Sequence, residues 1–508
     1  MTYTEYKALN PFQRFWYNFV NFIKSIPSGI VKFFCAIGTA IKKFFVGIGK
    51  GIAEFFVGFF RGNLLTKASY LIMGLGNIFR GQIVKGIAFF AIEVGYILFM
   101  VFFGSTYLGL FTTLEAVKVP GEAIQTPVGV IYGPEQYQHY SYQILLYGIL
   151  SILVTVAFIA IYVASTKSSR KCEAIIKAGG KPATFKEEMQ ELLDSKFHTT
   201  LLATPIVLIS VFVILPLAFM ILMAFTNFDG NHHYTDFTWV GFQNFAEIFS
   251  SSSGSAASMG MTFLRITGWT IVWAIAATFS NYILGMVFAL MINKKGIKLK
   301  KLWRTMFVMT IAVPQFVTLL LISQMLGSVS NSPINLILAM FNLGPVNLLG
   351  DLSNSGLLPR ITVIVVNCWV GIPYTILMTT GILMNIPEDL YESARIDGAG
   401  PVRSFMSITL PYMLFVTTPY LITTFIGNIN NFNVIYLLTQ GGPTVNTAYA
   451  KGAGRTDLLI TFLYKLSIDQ NLYGLGAAIG ILVFLVCASV SLITFNMTKS
   501  AKDEEAFS

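Results

Sequence analysis

Two short sets of polar residues stand inside otherwise apolar stretches, and they carry most of the chemistry this sequence offers. Asn367, Gly371 and Tyr374 are spaced i, i+4 and i+7, which puts them on one face of a helix. Asn428 and Asn431, at i and i+3, fall in the run Gly427-Asn428-Ile429-Asn430-Asn431-Phe432-Asn433. An Asn amide offers two donors and an acceptor, and a Tyr offers an aromatic face with a polar tip. Such groups suit a neutral ligand rich in hydroxyls. They suit equally well the hydrogen bonds that hold one helix to another inside a membrane. Bond chemistry has no carrier here. There is no Gly-x-x-x-x-Gly-Lys-Ser/Thr phosphate loop, no His-Glu-x-x-His and no Gly-x-Ser-x-Gly. The adjacent His232 and His233 sit in a loop, where neighbouring side chains rarely converge on a metal. No cofactor is expected in this chain.

These residues must be positioned by membrane helices. The chain has 508 residues, of which 55% are hydrophobic and only 11% charged. A soluble domain carries roughly 25% charged residues, so a soluble multidomain enzyme and a disordered chain are both excluded. A helix needs about 20 mostly apolar residues to span a bilayer. Eight runs qualify: 87–103, 144–164, 201–225, 266–292, 305–325, 361–384, 412–438 and 475–495. Glu93 is the one ionisable residue lying well inside a run, which argues against an ion-coupled pathway lined by buried charges. The net charge of +10 is a topology signal and does not point to nucleic acid, because the basic residues cluster between apolar runs.

The loops set the orientation. Residues 1–86 hold eleven Lys and Arg against Glu5 and Glu54. The 293–304 loop holds six basic residues and no acid, and 165–200 is again basic. The 104–143, 226–264 and 326–360 loops are nearly free of Lys and Arg. The alternation places both termini in the cytoplasm. Lys451, Arg455 and Lys465 in the outer 440–473 loop depart from the rule. Residues 30–62 form three undecamers, beginning Ile30, Ile41 and Ile52. Eleven residues make about three helical turns, so one apolar stripe stays aligned. With lysines on its flanks, this arm reads as an amphipathic helix in the cytoplasmic interface, attracted to membrane lipid, either as an anchor or as a regulatory or assembly arm.

Residues 385–411 between the sixth and seventh runs read as a helix–turn–helix. Pro387 can open a helix, Glu388 and Asp389 favour its first turn, and Gly398 can take the left-handed conformation that ends it. Pro401 can start a second short helix, and Pro411 opens span seven. An acidic, ordered loop on the cytoplasmic side fits a protein better than a phospholipid.

This loop resembles the signature of the membrane subunits of binding-protein-dependent ABC importers: Glu-Ala-Ala, three residues, Gly, nine residues, Ile, one residue, Leu-Pro. The matching residues are Glu392-Ser393-Ala394, Gly398, Ile408 and Leu410-Pro411, with Ser393 in place of Ala. Within these importers the chain is most similar to the larger membrane subunit of maltose/maltodextrin systems. Further shared strings are Trp369-Val370-Gly371-Ile372-Pro373-Tyr374, the 428–439 stretch with Gln440-Gly441-Gly442-Pro443, and Ala453-Gly454-Arg455-Thr456-Asp457-Leu458-Leu459.

The resemblance implies an all-α, eight-span permease of the bacterial cytoplasmic membrane. It implies a permease core over 201–500 that contains the 385–411 coupling loop. Before the core come the arm (1–86) and the first two spans with their basic loop (87–200), and after it a cytoplasmic tail (501–508). The implied coupling residues are Glu392, Ser393, Ala394, Asp397, Gly398, Ile408, Leu410 and Pro411. The implied sugar contacts are Asn367, Gly371, Tyr374, Asn428 and Asn431. Two further family positions hold Ile311, which cannot hydrogen-bond, and Gln315, which can. The implied partners are a second homologous permease, two cytosolic ATPase subunits that hold ATP and Mg, and an extracellular or periplasmic sugar-binding protein. The implied substrate is maltose, maltodextrin or another oligosaccharide or glycoside. An ion-coupled sugar carrier is the reading from another class.

Overall fold

The apolar runs fold as helices longer than the runs themselves. The computed structural model describes residues 45–497 except 122, 127–128, 232, 251–256, 295, 328–330 and 351–355, together with 35, 38, 39, 42 and 43. Most of the first undecamer, His232 and the 501–508 tail lie outside the described residues. The chain divides into two compact units, Met1–Phe242 and Gln243–Ser508.

In the first unit, α1 covers residues 45–61, followed by α2 (Leu64–Leu71), α3 (Leu75–Ile78), the membrane helix α4 (Ile83–Leu110), α5 (Ser141–Lys177), α6 (Phe185–Leu193) and α7 (Phe197–Met223). α5 has 37 residues, which at about 1.5 Å per residue far exceeds a bilayer core of about 30 Å. Its polar end is buried by α2 and α3. There Arg80 donates to the Ser169 carbonyl at 2.8 Å and lies 3.8 Å from Glu173, which also pairs with Lys177. Glu93, inside α4, accepts from the Met73 backbone N–H at 2.8 Å and so has a structural partner within the unit. The loop between α4 and α5 adds a feature absent from the helical reading: strands β1 (Val117–Val119), β2 (Ala123–Thr126), β3 (Gly129–Tyr132) and β4 (Gln136–His139). They form two antiparallel pairs, β1 with β4 and β2 with β3. Val, Ile and Tyr at alternating positions favour such short pairs.

In the second unit come α8 (Gln243–Phe249), α9 (Met259–Asn293), α10 (Lys300–Ala312), α11 (Gln315–Leu326), α12 (Pro333–Met340), α13 (Leu357–Leu383), α14 (Glu388–Ile396), α15 (Pro401–Thr439), α16 (Leu459–Tyr464) and α17 (Tyr473–Met497). Among the described residues, seven helices are long and apolar enough to span. The α10–α11 pair makes an eighth crossing if it is counted as one span. The fifth run is thus no straight helix: α10 and α11 meet at 89°. The break falls at Val313-Pro314. Val313 is extended, as the residue before a proline prefers, and Pro314 caps α11. By contrast, α13 continues through Pro373.

Tryptophans bind the second unit together. Trp269 and Trp273 of α9 pack with Leu319, Val363, Val366, Val434 and Leu438 from α11, α13 and α15. Their indole N–H groups donate to the carbonyls of Thr456 and Asn428, each at 3.1 Å. Lys465, one of the basic residues that depart from the charge alternation, is buried: its Nζ lies 2.7 Å from Asp457 Oδ2, and neither group is more than 9% exposed. Asp457 also accepts from Gly454 N–H and from the Thr461 hydroxyl. Burial pushes the Asp457 carboxyl up, against the lowering pull of Lys465 and these donors. Lys465→Met would leave that carboxyl buried without its counter-charge, so a destabilisation of about 3–5 kcal/mol is expected. A lowered thermal midpoint of the purified protein checks it; an unchanged midpoint would show that the pair is dispensable.

Candidate functional site

Four helices of the second unit converge on a cavity of about 240 Å³. α13 supplies Asn367, Val370, Gly371, Tyr374 and Thr375, with the i, i+4, i+7 set on one face as the sequence spacing requires. α11 supplies Gln315 from its first turn, brought there by the break at Pro314. α9 supplies Thr278, Asn281 and Tyr282, and α15 supplies Tyr420, Thr424 and Asn428. Every lining side chain is uncharged. A second cleft of about 190 Å³ shares Gln315, Val370 and Tyr374 with the first and extends past Thr310, Thr318 and the exposed Trp369.

Asn428 and Asn431 depart from the simple helical expectation. The helical segment ends at Ile429, and Asn431 caps the next turn by accepting from Val434 N–H at 3.3 Å. Asn431 also donates to Asn428 Oδ1 at 3.3 Å, and Asn428 donates to Thr278 Oγ1 at 2.9 Å. Asn428 lines the cavity while bonding α9 to α15; Asn431 is not among the lining residues and acts as a cap. Asn367 differs from both. It is 5% exposed, and its amide nitrogen has no hydrogen-bond partner among the described residues. The Asn281 amide oxygen is likewise buried and without a partner among the described residues. Gly371 faces Asn281: a Cβ there would come 2.2 Å from Asn281 Nδ2, so the glycine is what admits the neighbouring amide.

Asn281, Tyr282, Thr278, Tyr420 and Thr424 were not singled out in the sequence. A signal exists for some of them. Tyr420, Thr424 and Asn428 recur every four residues, and Asn281 is a polar interruption of the fourth apolar run.

The 385–411 segment folds largely as its sequence indicates. Pro387 caps α14, Glu388 and Asp389 occupy its first turn, and Gly398 ends it with φ +73°. Gly398 N–H donates to Arg395 O at 3.0 Å and Ala399 N–H to Ala394 O at 2.8 Å, which closes the helix end. Glu392, Ser393, Asp397 and Gly398 are exposed, and Ala394 is half-buried. Tyr391 shares a 2.8 Å hydrogen bond with Thr409, tying α14 to α15. As the sequence indicates, Pro401 opens a short helical segment, Pro401–Ser404, and Pro411 stands in the first turn of the next, Leu410–Ile429; both belong to the stretch α15. Phe405–Thr409 form a π-helical turn in which Leu410 N–H reaches Phe405 O. Such a wider turn accommodates Pro411, which has no N–H and would crowd the preceding carbonyls. Ile408 lies in that turn, with Leu410 and Pro411 just after it.

An uncharged cavity between membrane helices, with an ordered acidic elbow joining two of them, defines a membrane permease subunit of an ABC-type importer. Residues 281–502 match the model of the family described as "Binding-protein-dependent transport system inner membrane component". The chain is 33% identical over 439 residues to the galactooligosaccharides transport system permease protein GanP of Bacillus subtilis, covering 85% of this chain and 97% of that one. It is 34% identical over 441 residues to the maltodextrin transport system permease protein MdxF of the same organism, covering 86% and 95%. Against the maltose/maltodextrin permease MalF of Escherichia coli, identity is 33% over 268 residues, covering 52% of this chain and 50% of that one. The chain belongs to the binding-protein-dependent transport system inner membrane component family. It is a multi-pass protein of the bacterial cytoplasmic membrane. The likeness to maltose/maltodextrin permeases does not stand apart, because the galactooligosaccharide permease matches equally well.

Proposed function

We propose that this chain carries a neutral oligosaccharide across the membrane by alternating access, and that the cavity between α9, α11, α13 and α15 holds the sugar. The observation that carries this reading is the lining: amides, hydroxyls and aromatic faces with no charge, continuous with a cleft that runs to Trp369. Amides and hydroxyls match sugar hydroxyls, and aromatic faces match sugar rings. A sugar phosphate would call for an Arg or Lys at the site. Asn367, Gly371, Tyr374, Asn428 and Gln315 take part at the cavity, while Asn431 acts through Asn428. The 385–411 elbow is the point gripped by the ATPase, through Glu392, Ser393, Ala394, Asp397 and Gly398, with Ile408, Leu410 and Pro411 setting its angle. Ile396 and Val402, 86% and 76% exposed, are apolar side chains at the elbow that such a partner would cover. With a second permease, two ATPase subunits and a sugar-binding protein, ATP closure pulls the elbow and switches the cavity between sides. On this reading both termini lie in the cytoplasm.

The substrate class is oligosaccharide, with α-glucans (maltose and maltodextrins) and galactooligosaccharides as its two leading members. Uptake of a labelled sugar by proteoliposomes holding the whole importer tests this. Uptake is expected to need internal ATP, to survive a protonophore, and to be competed by one of the two oligosaccharide series and not by sugar phosphates. Competition by sugar phosphates alone, or uptake that collapses with the protonophore, would overturn the reading.

A further inference from the structure

We propose that α1 is an anionic-lipid sensor: it lies in the membrane surface on the side of the basic loops and binds acidic phospholipid headgroups. The argument rests on three faces of one helix. The first face meets protein. A Cβ on Gly58 would come 2.4 Å from Arg170 and 2.7 Å from Tyr70, so the helix is pressed against the first unit at its glycine side. Phe55 packs on Tyr70 and Tyr162 with ring centroids 4.7 and 6.0 Å apart, and Arg170 donates to the Glu54 carbonyl at 3.1 Å. The second face is apolar and exposed among the described residues: Ile48, Ile52 and Phe56 are 42%, 52% and 54% exposed. The third face is polar. Lys50 and Arg61 lie eleven residues apart, about three full turns, and so align on it. Lys43, seven residues before Lys50, falls on the same line, and the one acid there is Glu54.

A helix touching protein, apolar medium and water along three separate strips fits one place, the lipid headgroup boundary beside a membrane span. Tyr162 belongs to the membrane helix α5, so the surface α1 leans on is continuous with the bilayer. The net positive polar strip selects acidic lipid, which attracts such residues at about 1 kcal/mol each. The stretch 45–61 carries three charges, which disfavours a crossing.

The test uses the full importer in lipid nanodiscs, with exposed Cys35 replaced by serine. A fluorophore is placed on Ile52→Cys or on Glu54→Cys and quenched by nitroxide lipids. In discs containing phosphatidylglycerol, the label at 52 is expected to be quenched strongly by a nitroxide near the headgroup and weakly by one deep in the chain. The label at 54 is expected to be quenched less than the label at 52 by the headgroup nitroxide and hardly at all by the deep one. Lys50→Glu with Arg61→Glu should lower the ratio of lipid-bound to free α1 roughly five-fold per charge, the factor equivalent to about 1 kcal/mol, in phosphatidylglycerol discs only. Retained co-purification of the partner subunits establishes folding. Equal quenching in phosphatidylcholine alone, stronger quenching by the deep nitroxide, or no quenching at 52 in any disc would each overturn the proposal.

Discussion

Gly398→Val is expected to lower ATP-driven uptake about ten-fold or more, while Gly400→Ala leaves it unchanged. Gly398 has φ +73°, a conformation that costs an ordinary residue about 1–2 kcal/mol and a β-branched one more. Among the described residues nothing lies within 4 Å of a Cβ at either glycine, so the first added carbon meets open space at both and the backbone conformation is what sets them apart. Gly400 has φ −73°, which alanine adopts freely. Valine at 398 would unwind the end of α14, where Gly398 and Ala399 close the last turn, and would displace Glu392, Ser393 and Ala394. Uptake in proteoliposomes, with co-purification of the ATPase as a check on assembly, reads the effect. Equal behaviour of the two variants would remove the elbow from the coupling path.

Asn367→Leu is expected to keep or raise thermal stability while cutting sugar uptake by about ten-fold to a hundred-fold, the loss of one or two hydrogen bonds made only with substrate. The physical reason is the unpartnered amide nitrogen of Asn367 beside the cavity. In the empty chain that donor is buried at a cost, so an apolar residue of similar size relieves it. On the proposed function, a hydroxyl of the bound sugar meets the same donor. Asn428→Leu differs, because Asn428 already bonds Thr278 and Asn431. It should lower stability as well as uptake. Thermal midpoints and uptake measured together separate the two; a stability loss in Asn367→Leu would mark it as helix glue instead.

The membrane layout was legible because lipid imposes it. Each apolar run falls in a long helix, overrunning its end by no more than two residues, or, for 305–325, in the bent pair α10–α11. The lengths were less legible, since hydropathy marks only what lies in hydrocarbon. The polar end of α5, with Ser169, Cys172 and Glu173 buried against α2 and α3, reads as a loop until its neighbours are known. The β1–β4 and β2–β3 pairs fell below the same horizon, being strands of three or four residues. At the cavity, α13 obeyed its periodicity, whereas a helix break between Asn428 and Asn431 turned an expected shared face into a cap and its support. Gln315 could be named from sequence, but its place at the cavity depends on the 89° turn at Pro314. Asn281 stayed hidden because one amide among apolar neighbours carries no spacing, and its significance emerges only across the gap left by Gly371.

The central claim is that a neutral oligosaccharide passes between α9, α13 and α15. The most direct measurement is the structure of the whole importer arrested in its ATP-bound state with a transported oligosaccharide. Sugar density within hydrogen-bond reach of Asn367 and stacked on Tyr374 is the predicted result. Density confined to another surface, with this cavity filled by side chains, would contradict it.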